Sequence, residues 1–484
     1  GGGGAGGGGK AVAAVSRAAV LTAEAANGLK DLFFNDRKKV FSEAWKKQGL
    51  YFASSAPGSG RSGRGRAVSA QGQQAGTLGY GLEQRSGGPC GVLASCNAFV
   101  LSELLFPPPS SSPPSPSSDS GADGGAVFGW RNPPPATQRT ALLRSIAAML
   151  LLASSEETPT TAGGGGGSSG SSGSGGGRRV VVCLPLSAAA GLGGGGGSSS
   201  LGQPLFRSGT YSTDGFTEQT VTVAVSVPLT SSSASLGREG EGVNGGGGGA
   251  SAQFLSAVAT LCRWLDPHLP SFEEPSGCGA LLLLTSVVLT RGLANVRQDM
   301  DQGFAGEVRT LLDRHGYMSQ EGVNLLLLGR AHSNVFDFEK VLSDDTGLSS
   351  DAVTLKGVPR RGKVGFLSLQ EAFGYFEVGA HFKEPEVPVW VVYSESHYSI
   401  LFGTIKQRAL VGRDKGDDPA DVEVFYWDML AKQDQEIKLT LVAKHDEELP
   451  DNDDDSALIP PLDLVCRTKW AGRLVDWNGY EPIL

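Results

Sequence analysis

The sequence predicts an α+β protein in which a central helix, opened by a cysteine, packs on an antiparallel sheet. Three observations carry that prediction. Apolar residues recur at helical spacing through residues 92–106, 140–153, 252–265, 280–296 and 319–330. Strand-type alternation takes over in the last third, at residues 388–393, 397–402, 423–427 and 437–442. Helices followed by strands suit a segregated α+β arrangement better than repeating βαβ units. Finally, the run that follows Gln84-Arg85-Ser86-Gly87-Gly88-Pro89-Cys90-Gly91 is apolar nearly all round, as a helix at the centre of a domain should be.

In chain order, residues 1–26 read as a Gly/Ala-rich tail and residues 27–484 as one domain. Residues 29–50 mix Leu32, Phe33, Phe34, Val40, Phe41 and Trp45 with basic side chains, a pattern expected to give a short turn and then an amphipathic helix. Two further strands are expected at 179–186 and 219–227, where Val221, Val223, Val225 and Val227 alternate with smaller residues. Between these elements lie Pro, Ser and Gly tracts at about 107–125, 155–178, 190–203 and 231–250. They carry too little apolar surface to offset the entropy of ordering them, so they are expected to be disordered insertions.

Composition removes several function classes. Asp and Glu number 50 against 41 Lys and Arg, a formal charge of −9, which argues against a nucleic-acid partner. The most apolar windows, 141–153 and 280–289, fall short of the ~20 residues that span a bilayer, so no membrane crossing is expected. Cysteines 90, 96, 183, 262, 278 and 466 form no C-x-x-C pair. Free thiols in a reducing, intracellular setting, cytoplasmic and nuclear, are the expectation, with no metal and no cofactor.

Cys90 is the candidate nucleophile, because the unpaired N–H groups and positive dipole end of a helix start stabilise a thiolate. Its plainer reading is a small apolar residue opening a buried helix. Cys96, six residues on in apolar surroundings, reads as core. A thiol nucleophile needs a base, and His397 is the candidate: it opens the strand 397–402 directly after the turn Ser394-Glu395-Ser396. Alternation puts Tyr398, Ile400 and Phe402 on one face and His397, Ser399 and Leu401 on the other. His268, His315 and His445 read as solvated, and His332 and His381 as packing or surface residues. If 423–427 pairs antiparallel with 397–402, Asp428 falls near His397 and can orient its ring; it can equally cap the turn that follows. The Cys90 backbone N–H and the side-chain amide of Gln84 are candidate donors to an oxyanion.

These residues, with several further blocks, resemble the MINDY deubiquitinases, in particular the branch whose nucleophile motif reads G-G-P-C-G-V. The blocks are Arg297-Gln298-Asp299, His315-Gly316-Tyr317-Met318-Ser319-Gln320-Glu321, Asn324-Leu325-Leu326-Leu327, Gly329-Arg330-Ala331, Ser333-Asn334-Val335-Phe336, the stretch from Trp390 through Ser394-Glu395-Ser396-His397-Tyr398-Ser399, Arg467-Thr468-Lys469-Trp470, Trp477-Asn478-Gly479 and Glu481-Pro482-Ile483-Leu484. They run in family order from about Leu29 to the C-terminus. The resemblance implies a papain-like cysteine isopeptidase acting on ubiquitin and polyubiquitin, with preference for the linkage that directs proteins to the proteasome. It implies Cys90 as nucleophile, His397 as general acid/base and Gln84 as oxyanion donor, and leaves the role of Asp428 open. Glu395, beside the catalytic turn, is a candidate partner for the arginines of ubiquitin's tail. A reading from another class is a ubiquitin-binding pseudoenzyme with little turnover. The insertions depart from the family pattern and bear on linkage preference more than on reaction type.

Overall fold

Alternation of side chains along six strands builds the layer against which the cysteine-bearing helix packs. In a computed structural model of the chain, the described residues are 13–55, 78–108, 129–154, 177–191, 214–228, 248–302, 307–342, 353–404, 421–433, 435–442 and 459–482. In chain order they form β1 (Ala14–Val15), β2 (Ala19–Val20), α1 (Ala23–Phe34), α2 (Glu43–Lys46), α3 (Cys90–Leu105), α4 (Pro135–Ala153), β3 (Gly177–Pro185), β4 (Thr220–Pro228) and α5 (Gly248–Leu265). There follow α6 (Pro270–Glu273), α7 (Gly279–Arg291), α8 (Leu293–Asp299), α9 (Gln320–Leu328), β5 (Glu339–Leu342), β6 (Val353–Lys356), β7 (Gly365–Ser368), α10 (Leu369–Ala372) and α11 (Ala380–Lys383). The chain closes with β8 (Val389–Ser394), β9 (His397–Phe402), β10 (Val422–Trp427), β11 (Ile437–Val442), α12 (Pro461–Lys469) and β12 (Leu474–Asp476). This is an α+β fold.

The main sheet has the order β12-β11-β10-β9-β8-β7. Its neighbours are antiparallel except β7 and β8, which run parallel with Ser368 beside Tyr393. Glu395 and Ser396 join β8 to β9 at φ 49° and 64°, the two positive values of a tight hairpin turn, and Ser394 therefore pairs with His397. Alternation then sorts the faces. Val389, Val391, Tyr398, Ile400, Phe402 and Trp427 join the larger core with α3, while Trp390, Val392, Leu401, Val424 and Tyr426 meet Leu462, Val465 and Trp470 in a second core.

Every residue of α3 is buried, and the helix packs against α4, α9, β8 and β9. So complete a burial requires its polar members to be satisfied from neighbouring elements. Asn97 Oδ1 accepts from the Leu82 N–H at 3.1 Å. Glu103 takes Arg144 of α4 and Lys363 as partners. Burial pushes the Glu103 carboxyl up, but these two cations outweigh it and hold the group below its usual range.

Three expectations change. Residues 29–50 reverse the expected order: the helix comes first, as α1, and only the single-turn α2 follows. The reason is capping: Thr22 Oγ1 accepts from the Ala25 N–H, and Asn35 ends α1 in the left-handed region. Residues 13–26, read as tail, supply β1, β2 and the first turn of α1; both strands pair with β4. The continuous helix expected at 280–296 breaks at Gly292, φ 89°, and α7 and α8 meet at 86°. Almost all of the tracts expected to be insertions lie outside the described residues. No single helix among the described residues is long and apolar enough to cross a membrane.

Removing Glu103 strands two cations against the central helix. Glu103→Ala should destabilise the protein by about 3 kcal/mol, read as a lower urea midpoint at unchanged m-value.

Candidate active site

The first turn of α3 reaches the rim of the main sheet where β9 begins and β10 ends. Pro89 caps the helix without a side-chain hydrogen bond, so the leading N–H groups keep their capacity to donate. Cys90 is 1 % exposed, with Sγ 3.9 Å from the Gly88 carbonyl. Two glycines make this approach possible. Gly88 sits at φ 128°, and a Cβ there would lie 3.3 Å from Trp45 Nε1. A Cβ on Gly91 would come within 2.6 Å of Met318 Cβ, so only glycine lets the turn before α9 close on the helix.

His397 lies between two partners. Its Nε2 is 2.9 Å from Asp428 Oδ1, and Cys90 is the other side chain that acts on its charge. With Nε2 committed to the carboxylate, Nδ1 is the nitrogen left for the thiol. Burial pushes the imidazole down, but the hydrogen bonds and charges of Asp428 and Cys90 outweigh it and raise His397 to about 10. At neutral pH the ring is therefore an imidazolium.

Strand register delivers Asp428. Trp427 pairs with Ile400, and the next residue of the chain falls beside the start of β9. The same Oδ1 accepts the Leu430 N–H at 2.8 Å, and the Asp428 N–H donates to Gln433 Oε1 at 2.6 Å. Both readings of this residue thus hold together: it meets His397 and it caps its own turn.

Gln84 is fully buried in the segment leading to Cys90. Its N–H donates to the Met429 carbonyl at 2.8 Å, tying it to the Asp428 turn, and its Nε2 donates to the Ser86 carbonyl at 2.8 Å. Its Oε1 is buried with no hydrogen-bond partner among the described residues. Glu395 is exposed on the β8–β9 turn, two residues before His397.

The remaining candidates separate cleanly. Burial raises the Cys96 thiol to about 12. His315 is exposed and accepts from Arg314 Nε. His268 is half-buried against the Trp264 ring rather than solvated, and burial lowers its basicity. His332 and His381 bond the Gly357 and Val358 carbonyls. His445 lies outside the described residues.

Several supporting residues carry no local signal in the sequence. Trp45 Nε1 donates to the Gly316 carbonyl at 2.8 Å, fixing the turn that packs Met318 on Gly91. Gln48, fully buried, donates to the Glu83 carbonyl and accepts from the Arg85 N–H, bracketing Gln84 from both sides. Only tertiary structure reveals these contacts, since each partner lies more than 30 residues away. Cysteine sulfur, imidazole and carboxylate in this order are equipped for thiolate attack on an acyl carbon followed by proton delivery from the imidazolium to the leaving group.

A raised histidine adds stability that is fully present below its unfolded value near 6.5 and is lost as pH rises through 10. Asp428→Ala leaves burial opposed by Cys90 alone. The His397 ring resonances should then titrate well below 10, and the stability lost between pH 6.5 and 10 should shrink.

A family described as "Deubiquitinating enzyme MINDY-3/4, conserved domain" matches residues 70–195 and 251–479, segments that contain Gln84, Cys90, His397 and Asp428. The chain is 42% identical over 231 residues to the Bos taurus protein named "Probable ubiquitin carboxyl-terminal hydrolase MINDY-4", covering 48% of this chain and 28% of that one. Its Homo sapiens counterpart is 40% identical over 231 residues, with 48% and 28% covered. The Danio rerio "Ubiquitin carboxyl-terminal hydrolase MINDY-3" is 36% identical over 143 residues, 29% of each chain. The chain thus matches less than a third of the length of these relatives. No solved structure matches it.

Proposed function

The chain belongs to the MINDY-3/4 deubiquitinating enzymes, and from that premise we propose that it hydrolyses isopeptide bonds at the C-terminal glycine of ubiquitin. The observation that carries this reading is the position of His397, hydrogen-bonded to Asp428 and close enough to Cys90 for the two to influence each other's charge. The arrangement of helix-borne thiol, strand-borne imidazole and orienting acid is papain-like.

The Cys90 thiolate attacks the glycine carbonyl, forming the S–C bond as the carbonyl electrons move to oxygen. The oxyanion is met by the Cys90 N–H at the start of α3 and by Gln84 Nε2, whose second hydrogen remains after the bond to Ser86. On collapse the C–N bond breaks, and the His397 imidazolium gives its proton to the departing lysine amine. Neutral His397 next takes a proton from water, which attacks the thioester and releases ubiquitin and Cys90. Asp428 keeps the ring oriented through both halves.

The preferred substrate is polyubiquitin of the linkage that directs proteins to the proteasome, met in the cytoplasm and nucleus. Glu395 stands where it can attract the arginines of ubiquitin's tail, a contact that acts on substrate capture more than on chemistry.

Defined ubiquitin dimers of each linkage test the reading. Cys90→Ala should abolish cleavage, His397→Ala should lower kcat at least ~10²-fold, and Gln84→Ala should lower it by roughly 10²–10³ with KM nearly unchanged. Undiminished cleavage by Cys90→Ala would refute the mechanism. Faster cleavage of another linkage would remove the linkage preference alone.

A further inference from the structure

Three aromatic side chains in four residues stand out in solvent where α10 ends. Phe373 is 56 % exposed, Tyr375 73 % and Phe376 38 %, making up three of the five large exposed aromatics among the described residues. Phe373 and Tyr375 meet edge to face at 6.3 Å. Gly374 between them takes φ 73° and faces open space.

The turn is held rigidly. The Phe373, Gly374 and Tyr375 N–H groups donate to the carbonyls of Leu369, Glu371 and Gln370 at 3.3, 2.9 and 3.0 Å. Glu371 Oε1 accepts from the Val378 N–H at 3.0 Å and pairs with Lys383 at 2.8 Å. Rings fixed in this way lose little freedom when a partner covers them, and exposed aromatics on a fixed frame are the usual anchors of protein interfaces.

Topology brings this turn to the catalytic end of the sheet. Because β7 runs parallel to β8, with Ser368 beside Tyr393, α10 leaves the sheet at the end where Glu395 and Ser396 turn into His397. Two strand spacings of ~4.8 Å and one short helix separate the turn from His397, roughly 15–20 Å in all. A folded protein of roughly 80 residues has a radius of gyration near ~12 Å, so one such body can rest on the turn while its extended tail reaches Cys90. Exposed Glu377 follows the rings and exposed Glu395 stands at the same end, an acidic border that fits a partner apolar at its centre and basic at its rim.

We propose that the turn Phe373-Gly374-Tyr375-Phe376 is the docking surface for the folded body of the ubiquitin whose C-terminus enters the Cys90 site. This rests on the deubiquitinase reading above and adds to it the place where the substrate's body binds. The rings anchor the apolar centre, and Glu377 and Glu395 face the basic rim.

The test compares the full chain with its Phe373→Ala/Tyr375→Ala variant on three substrates: a fluorogenic pentapeptide of the ubiquitin C-terminus, whole ubiquitin carrying the same fluorophore, and a ubiquitin dimer. Thermal midpoints should agree, because both rings are exposed. The variant should lose at least tenfold in kcat/KM on ubiquitin–fluorophore and on the dimer, mostly through KM, and nothing on the pentapeptide. Loss on the dimer alone would overturn the proposal by assigning the turn to the protein that bears the lysine. Equal loss on all three substrates would make the turn structural, and no loss would make it inert. If the unaltered chain processes none of the three, the deubiquitinase reading itself fails and the docking surface falls with it.

Discussion

The 2.9 Å hydrogen bond between His397 Nε2 and Asp428 Oδ1 is the contact on which the site depends. It uses one nitrogen of the ring and so decides that the other faces Cys90. It also keeps a half-buried imidazole charged, against the desolvation that would otherwise strip its proton. That bond exists only because β9 and β10 pair in one register; a slip of one residue would turn Asp428 to the other face of the sheet. The two-residue turn at Glu395 and Ser396 fixes the position of β9 on β8 from the opposite side.

Cys90 reaches this pair by a different route. It rides on a helix buried along its whole length, with Asn97 and Glu103 tied to other elements. Glu103 links the far end of that helix to α4 and to the segment before β7, while Asn97 holds the strand-like segment that carries Leu82 and leads to Gln84. The cysteine is thus positioned by packing, and the histidine and acid by sheet register. The two systems meet at the rim, where Gly88 leaves room for Trp45 and Gly91 for Met318 beside the first turn of the helix.

Much of this was legible in the sequence, for physical reasons. A helix apolar on every side can only be central, and a histidine at the head of an alternating strand has one face to choose. Asp428 was reachable by counting along two antiparallel strands, although the sharing of its Oδ1 between His397 and the Leu430 N–H was not. The order of helix and turn in residues 29–50 was misread because the capping threonine, Thr22, lies in a stretch whose composition resembles a tail. The break at Gly292 was hidden by the apolar run around it. Trp45 and Gln48 act through partners chosen by tertiary packing, and no local pattern marks them. The parallel strand β7 is four residues long and buried throughout, too short for its alternation to register.

The central claim is that Cys90, aligned by His397 and Asp428, becomes the acyl carrier for ubiquitin. Acid quenching of a single turnover on a ubiquitin dimer, followed by peptide mass analysis, tests it most directly. The account predicts a hydroxylamine-labile ubiquitin thioester on the Cys90 peptide, absent in Cys90→Ala. Ubiquitin attached instead to Cys96 or another cysteine, or complete turnover with no thioester formed, would contradict it.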